Sequence, residues 1–167
     1  MKNNIAILQV GDPVLREKAA RVDIVDYALL DAMADAMFAA KGAGLAAPQV
    51  GVSQRVIVMR PDRGIEVLKM INPELSEFSD DKISMEEGCL SVLGPDGPVY
   101  AHLTRPESVR VKWTDENGIL HDEIFDGFKA RVIQHEFDHL EGVLFIDRVS
   151  SLKRAMIMSK VKKAAAS

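Results

Sequence analysis

Two histidines and a glutamate are closely spaced in the segment VIQHEFDHLEG, residues 132–142. His135 and His139 are four residues apart, so on a helix both imidazoles project from the same face and can reach a single ion. Glu136, about a hundred degrees around the helix from His135, can address a water on that ion without ligating the ion itself. The segment matches the H-E-x-x-H pattern of metal-assisted hydrolysis. Because short motifs also arise by chance, two hydrogen-bonded histidines in the core or on the surface remain an alternative.

Two histidines do not complete a catalytic metal site, which normally has three protein ligands and one open position. No histidine follows the motif in the chain, so Glu141, Asp147 and Cys89 are the candidates for the third ligand. Cys89, in the segment MEEGCLSV, is the one cysteine of the chain and has no partner for an intramolecular disulfide. It is a buried small hydrophobe, a reactive thiol or a metal ligand.

A third segment, KGAGLAAPQVG at residues 41–51, combines glycines and other small residues with one amide. The small residues would let a substrate backbone lie flat against the protein. The Gln49 amide supplies an N–H donor suited to a developing oxyanion. The simpler alternative is a helix end followed by a turn into a strand.

The hydrophobic pattern predicts the elements that position these segments. Residues 26–41 place apolar side chains at helical spacing, with Asp26 as a cap and Gly42 as a stop. The segments QRVIVMR and IEVLKMIN, joined by PDRG, predict a hairpin, and ESVRVKWT turns through ENG into ILHDEIF as a second antiparallel pair. The first helix is therefore followed by antiparallel β-structure.

Two further helices are expected after these strands. One begins near Asp126 and ends near Gly142, and a basic one runs from about Ser151 to the end of the chain. The order of helix, strands, helix and helix indicates an α+β fold without regular βαβ alternation. We expect antiparallel sheets packed around a central helix that carries H-E-x-x-H, with an N-terminal helix and a C-terminal helix beside them.

Size and composition indicate one globular domain over residues 1–167. The chain is 47% hydrophobic, which is enough for an ordinary core. Its net charge is -4 and its charges are scattered, which argues against free nucleic acid as a partner. The apolar runs are too short to span a bilayer and the N-terminal segment lacks a signal-peptide core, so we expect no membrane association and a cytoplasmic location.

Taken together, the three segments resemble the signatures of the peptide deformylase family. They read GAGLAAPQ at residues 42–49, EGCLS at residues 87–91 and QHEFDHL at residues 134–140, in the family's order. The resemblance extends to ILQVGDPVLR, INPEL and EGVLFIDR, and so covers most of the chain. It implies an enzyme that removes the formyl group from the N-terminal formyl-methionine of new polypeptides and releases formate.

The resemblance also implies a role for each matching residue. Cys89, His135 and His139 would bind a divalent metal, with Glu136 as the acid/base. The Gln49 amide and the backbone N–H of Leu90 would form the oxyanion hole. The family implies Fe(II), whereas the ligand types alone are equally compatible with Zn(II), Ni(II) or Co(II).

For the substrate, the resemblance implies five contact residues. Ala43, Phe128 and Val132 would be apolar walls of a methionine pocket, and Ala43, Gly44 and Gly88 would pair with the extended peptide. Core packing is the alternative for Phe128 and Val132, because pocket walls and cores share a composition. The basic C-terminal helix would dock on the ribosome, as in some relatives, or form a solvated face.

Two features depart from the family pattern. The segment GPDGPVYAHL after Ser91 is several residues longer than usual and borders the peptide cleft, which leaves the preference beyond methionine open. Arg131 stands where some relatives carry an apolar residue, and Arg105 corresponds to a structural arginine that pairs with Glu87. Two other functions remain open: a metallopeptidase that shares H-E-x-x-H, and an inactive binding protein that grips nascent chains.

Overall fold

The computed structural model describes residues 5–62 and 64–167, which fold into three α-helices and nine β-strands. The predicted α+β class is confirmed. The helices are α1 (Tyr27–Ala39), α2 (Gly127–Leu140) and α3 (Ser151–Ala165). The strands are β1 (Gly44–Ala46), β2 (Val56–Met59), β3 (Leu68–Ser76), β4 (Lys82–Glu87), β5 (Leu93–Gly94), β6 (Gly97–Pro98), β7 (Ala101–Pro106), β8 (Ser108–Thr114) and β9 (Leu120–Asp126).

The largest sheet has five strands in the order β1-β2-β3-β8-β9, and every neighbouring pair is antiparallel. It contains both predicted pairs, β2 with β3 and β8 with β9, and so confirms their antiparallel pairing. The two pairs form one sheet because β3 also pairs with β8. The predicted PDRG turn between β2 and β3 includes Arg63, which lies outside the described residues, as do residues 1–4 of the N-terminal segment.

Two smaller pairs, β4 with β7 and β5 with β6, were not predicted from the sequence. The pair β4–β7 matters for the site, because β4 ends at Glu87 and leads directly to Cys89. Most residues of β4 are exposed, and its polar segment KISMEE shows only a weak alternation of apolar and polar side chains. A pattern search based on buried alternation therefore misses it.

Helix α1 begins as predicted, with the Asp26 side chain accepting a hydrogen bond from the backbone N–H of Leu29. The predicted last residue of this helix, Lys41 before a stop at Gly42, is wrong by two residues. The helix ends at Ala39, and the residue with left-handed backbone is Lys41, with φ of 56°. Gly42 follows and donates its N–H to the carbonyl of Met37. Leu30, Met33 and Met37 are buried as an apolar face, as the helical spacing predicts.

Helix α2 begins at Gly127 with Asp126 at the N-cap position, although the Asp126 side chain makes no capping hydrogen bond. The predicted end near Gly142 is close, since the helix ends at Leu140. Its apolar side contacts β1, β2, β8 and β9, where Ala130 and Ile133 join the main hydrophobic core. Ten of its residues are buried, including several polar ones. Buried polar groups require hydrogen-bond partners, which the neighbouring strands must supply.

No α-helix in residues 5–62 or 64–167 has both the length and the apolar character that crossing a bilayer requires.

Candidate metal centre

Cys89 lies two residues beyond the end of β4 and meets the two histidines of α2 in the interior. Its Sγ lies 3.4 Å from Nε2 of His139. The Sγ of Cys89 and one ring nitrogen from each of His135 and His139 all lie within 4.8 Å of one another, and all three residues are buried. The tertiary structure thus brings together the three residues that the resemblance implies as metal ligands.

The other two candidates for the third ligand lie elsewhere. The Glu141 carboxylate pairs with Arg55 at 2.6 Å. The Asp147 carboxylate pairs with Arg16 and with Arg154. Neither residue belongs to the metal-ligating cluster found among the described residues.

The donor set fits a divalent transition metal. One thiolate and two imidazoles are ligands that zinc, iron, nickel and cobalt accept, and a site with three protein ligands leaves a fourth position open. Ligand atoms of this kind lie roughly 3.5 Å apart around a tetrahedral ion. The separation of Cys89 and His139 has that magnitude. The backbone N–H of Ser91 also donates a hydrogen bond to the Cys89 Sγ at 3.4 Å and so helps to fix the position of the sulfur.

Glu87, the last residue of β4, orients one of these candidate ligands. Its Oε1 lies 2.8 Å from Nδ1 of His135, so Nε2 is the nitrogen of that ring that would bind a metal ion. Arg105 donates two hydrogen bonds to the same carboxylate, at 2.7 and 2.9 Å, which confirms the expected pair. Burial by itself raises the pKa of Glu87, but the hydrogen bonds from His135 and Arg105 outweigh it and lower the pKa to about 2. Glu87 is therefore an ionised, fully engaged carboxylate.

Asp138 extends this network on the opposite side of Arg105, a role that the sequence analysis did not assign. Its carboxylate accepts a hydrogen bond from Arg105 at 3.0 Å and two from Arg148, both at 2.6 Å. The feature of the sequence that could have indicated this role is the position of Asp138 inside the QHEFDHL segment, on α2 between Glu136 and His139. Without knowledge of the partners, an aspartate there reads as an ordinary polar residue of a helix.

Glu136 directly follows His135 on α2 and is buried, with 4% of its surface exposed. Its Oε2 atom has no hydrogen-bond partner among the described residues, although buried carboxylate oxygens are normally paired. Burial raises the pKa of Glu136 to about 7, because the charged form is poorly solvated there. A carboxylate with a free oxygen and a pKa near neutrality is suited to transfer protons. Burial also lowers the pKa of His139 well below its usual value, which favours the neutral ring that a ligand requires.

Gln49 lies in a short 3-10 helix, Ala47–Val50, directly after β1. Its Oε1 accepts a hydrogen bond from the backbone N–H of Ala46 at 2.9 Å, and its Nε2 donates to Oγ of Ser91 at 3.1 Å. These bonds fix the amide 3.7 Å from the Cys89 Sγ. The position of Leu90 is fixed by a different hydrogen bond, which the Gln9 side chain donates to the Leu90 carbonyl at 3.0 Å.

A cavity of about 370 Å³ opens onto these groups. Its lining includes Gln49, Cys89, Leu90, His135 and Glu136. It also includes all five residues that the resemblance implies as substrate contacts, namely Ala43, Gly44, Gly88, Phe128 and Val132. Two of the three candidate ligands, Cys89 and His135, therefore share one cavity with the candidate substrate contacts.

Local packing explains why two of these residues are glycines, and the two apolar ones on α2 differ in how exposed they are. A Cβ atom at Gly44 would lie 2.8 Å from the Val132 side chain, and one at Gly88 would lie 2.6 Å from the Tyr100 ring. Both positions therefore require glycine unless the neighbour moves. Phe128 is 56% exposed at the cavity rim, so the core-packing alternative is wrong for it. Val132 is buried and belongs both to the main core and to the cavity wall.

Comparison with known proteins decides the family. A family model described as polypeptide deformylase matches residues 5–155. The chain belongs to the polypeptide deformylase family. A peptide deformylase of Zymomonas mobilis is 45% identical over 169 residues, which covers 95% of this chain and 93% of that protein.

Solved deformylase structures agree in fold. The crystal structure of peptide deformylase from Ehrlichia chaffeensis superposes with a TM-score of 0.88 at 35% identity and covers 97% of both chains. That of peptide deformylase from Synechococcus elongatus in complex with actinonin has a TM-score of 0.84 at 40% identity, over 96% of this chain and 86% of that one.

Membership confirms the predicted activity class. Peptide deformylases are metal-dependent hydrolases that remove N-formyl groups from nascent polypeptides, which are thus the partners of the enzyme. The cluster of Cys89, His135 and His139 agrees with that metal dependence. The two alternative functions, a metallopeptidase and an inactive binding protein, receive no support from these comparisons.

Proposed function

We propose that this chain is an active deformylase in which Cys89, His135 and His139 hold the catalytic metal ion. The observation that supports this most directly is the convergence of one buried sulfur and two buried imidazoles within 4.8 Å of one another, where Cys89 and His135 also line the cavity. We propose Fe(II) as the native ion because the family resemblance implies it, with Zn(II), Ni(II) or Co(II) as replacements. When bound, such an ion polarises the formyl carbonyl and lowers the pKa of a water molecule to roughly 7.

Glu136 is the proposed acid/base. Its unpaired Oε2 is available to accept the proton of the attacking water, and its pKa of about 7 suits the return of that proton. Delivery of the proton to the leaving amine completes the cleavage of the formyl C–N bond. The products are formate and a peptide with a free N-terminal amine.

Gln49 and Leu90 are the proposed oxyanion donors. The Gln49 Nε2 atom carries two hydrogens, and in this structure it donates to Oγ of Ser91 at 3.1 Å and to Sγ of Cys89 at 3.7 Å. The longer bond to the sulfur is the one that gives way, so that this hydrogen points at the carbonyl oxygen of the substrate. The backbone N–H of Leu90 supplies the other donor at the rim of the same cavity. Each such donor lowers the barrier by about 3 kcal/mol in comparable sites.

The peptide substrate is proposed to extend along β1. This strand is at the edge of the five-stranded sheet, so an extended peptide can add to it, with Ala43, Gly44 and Gly88 as backbone partners. The methionine side chain then enters between Phe128 and Val132. The absence of side chains at Gly44 and Gly88 allows the close approach of the peptide.

The remaining expectations extend this proposal. We propose that residues 1–167 form a single catalytic domain in which the sheets pack around α2 as the central helix. Because its substrate is a nascent chain, we place the enzyme in the cytoplasm. We also propose that α3, which carries Lys153, Arg154, Lys160, Lys162 and Lys163, docks on the ribosome through these basic side chains.

Formate release tests the proposed function. The purified chain is loaded anaerobically with Fe(II) or Ni(II) and incubated with formyl-Met-Ala-Ser, and formate is measured. We expect turnover that requires the metal and that actinonin blocks, since a deformylase of this fold binds that compound. Cleavage within unformylated peptides would instead indicate a peptidase. Binding of formylated peptides without formate release would indicate a binding protein.

A further inference from the structure

A second cavity, of about 600 Å³, adjoins the cavity that contains the proposed oxyanion donors and the proposed base. The two cavities share four wall residues, namely Lys41, Gly42, Ala43 and Phe128. Because these walls are common to both, a ligand that is too long for the first cavity can continue into the second. The substrate of a deformylase is such a ligand, since it is a polypeptide.

The burial of the chain around β1 determines the direction in which the substrate leaves the first cavity. A Cβ atom at Gly44 would lie 2.9 Å from Oε1 of Glu136, so Gly44 is beside the proposed acid/base. Residues 44–50 are all buried, whereas residues 42–43 are half-buried and Lys41 is exposed. A peptide that adds to the free edge of β1 with its formyl group near Glu136 therefore runs antiparallel to this strand, toward Lys41. At roughly 3.3 Å per residue of extended chain, its third or fourth residue lies beside the second cavity.

Two cations lie against the same residue at one side of the second cavity. The backbone N–H of Lys41 donates to the carbonyl of Phe38, and the Arg60 guanidinium lies over the Phe38 ring, 4.9 Å from its centre. Arg60 also donates to the carbonyl of Gly64 from Nε and from Nη2, at 3.2 and 3.0 Å. The exposed Lys41 side chain makes no hydrogen bond or ion pair within residues 5–62 and 64–167. Because like charges repel, an anion that binds beside both cations is favoured there.

The remaining charged groups of the second cavity leave its walls with an excess of positive charge. Its lining includes the cations Lys41, Arg60 and Lys129 and the carboxylates Asp62 and Asp126. The Asp62 carboxylate is 3.6 Å from the ammonium group of Lys129, so these two charges offset each other. The chain as a whole has a net charge of -4. The walls of this cavity are thus of opposite sign to the chain that forms them.

Lys41 has a backbone conformation for which glycine is the usual residue, with φ of 56°. A lysine at this position places a charged side chain at the wall that both cavities share. We propose that the second cavity binds the third and fourth residues of the formylated polypeptide, and that Lys41, beside Arg60, selects acidic side chains there. The inference rests on the proposed function, because it concerns the substrate of the same site.

The proposal predicts that acidic peptides are the better substrates of an acidic protein. The net charge of -4 by itself disfavours them. An exposed ion pair in the second cavity should nevertheless raise kcat/KM about threefold. The gain should appear in KM, because side chains remote from the formyl group are bound equally before and during the reaction. It should decrease in 1 M salt, where the screening length is about 3 Å.

The test compares formate release from three peptides with amidated C-termini, formyl-Met-Ala-Glu-Glu, formyl-Met-Ala-Gln-Gln and formyl-Met-Ala-Lys-Lys. Amidation removes the terminal carboxylate, so the peptides differ in charge only through their side chains. The unmodified, metal-loaded chain is used first, which makes the result independent of the folding of any variant. We expect kcat/KM to be about threefold higher for the glutamate peptide than for the glutamine peptide, and lowest for the lysine peptide. A glutamate peptide equal to or below the glutamine peptide would overturn the proposal. Absence of formate from all three would instead overturn the proposed function.

Variants of Lys41 then assign the preference to this residue. Lys41→Gln removes the charge and should bring the ratio of the glutamate to the glutamine peptide close to one, whereas Lys41→Arg keeps the charge and should keep the ratio. Lys112→Gln is the matched control, because Lys112 is an exposed lysine that is not among the residues lining either cavity. An unchanged ratio in Lys41→Gln, or an equal loss of preference in Lys112→Gln, would contradict the proposal.

Discussion

The Nδ1 atom of His135 lies 2.8 Å from Oε1 of Glu87, so a carboxylate at the end of β4 holds a proposed metal ligand of α2 in place. Glu87→Gln removes the charge that orients this ring and is expected to weaken metal affinity about 10- to 100-fold, as outer partners of ligating histidines do. Competition with chelators of graded affinity measures the change. Glu74→Gln, at an exposed carboxylate paired with Arg21, is the control and should leave the affinity unchanged.

Substitution of a proposed metal ligand and substitution of the proposed base should have different effects on metal content and on turnover. Cys89→Ser is expected to reduce the metal content of the purified chain, because an alcohol is a much poorer ligand than a thiolate. Glu136→Gln should retain the metal and lower kcat by about 10²- to 10⁴-fold. Metal analysis and formate release on the same samples measure both. Glu141→Gln and Asp147→Asn change the two alternative third ligands and should retain the metal, and a loss of metal in either would contradict the assignment of Cys89.

The Gln49 amide is expected to act mainly on turnover. Gln49→Leu removes the donor and should lower kcat by about 10²- to 10³-fold with little change in KM, as for other oxyanion-hole donors. Ser91→Ala keeps the amide, removes one of the two groups that accept from Gln49 Nε2, and should have a smaller effect. Because that amide also lies 3.7 Å from the Cys89 Sγ, metal content is measured in parallel. Loss of metal with unchanged kcat per bound metal would refute the oxyanion role.

Substitutions at Gly88 and at Tyr100 should have coupled effects on substrate binding. In Gly88→Ala the new Cβ would lie 2.6 Å from Cε1 of the Tyr100 ring, so this ring, which lines the cavity, must shift. We expect a higher KM for formylated peptides, and partial recovery when Tyr100→Ala is added. Steady-state kinetics of the two single variants and the double variant give the coupling. If the double variant is as impaired as Gly88→Ala alone, the contact with Tyr100 is not the cause.

The pair of Asp147 with Arg16 predicts a pH dependence of stability. Partial burial tends to raise the pKa of Asp147, but the hydrogen bonds from Arg16 and from the Leu144 backbone N–H lower it below its usual value. A lowered pKa means that the ionised form stabilises the folded chain above the pKa of an unfolded aspartate, about 3.9, and that this contribution is lost as the pH falls through the folded pKa.

Urea titrations of the unmodified chain and of Asp147→Asn measure this effect. The difference between their free energies of unfolding should be constant from pH 7 to pH 5 and shrink as the pH falls below about 4. The Asn side chain keeps an acceptor for the Leu144 N–H, so the comparison isolates the charge. A difference that stays constant down to pH 3 would show that the Asp147 charge contributes no stability.

The sequence by itself determined the identities and the local geometry of the chemical groups. The spacing of His135 and His139 requires only the helical repeat, and the α2 segment is continuous enough for that repeat to be read directly. The apolar face of α1 and the pairing of β8 with β9 follow for the same reason, since each depends on residues that are close in the chain. The choice of Cys89 over Glu141 and Asp147 came from the resemblance, because spacing alone left all three open.

Only the tertiary structure decided which distant groups meet. Cys89 reaches His139 across 50 residues of chain, and Glu87 collects His135, Arg105 and Arg131 from β7 and α2. Contacts of this kind depend on strand pairing and on the position of α2 against the sheets, which no local pattern encodes. Strand β4 was missed because its mostly exposed, polar residues lack the alternation of a buried strand, and β7 because one of its two buried side chains is the charged Arg105. The sequence showed that Arg131 departs from the family pattern. Its hydrogen-bond partners and its unpaired Nε atom became visible only in the fold.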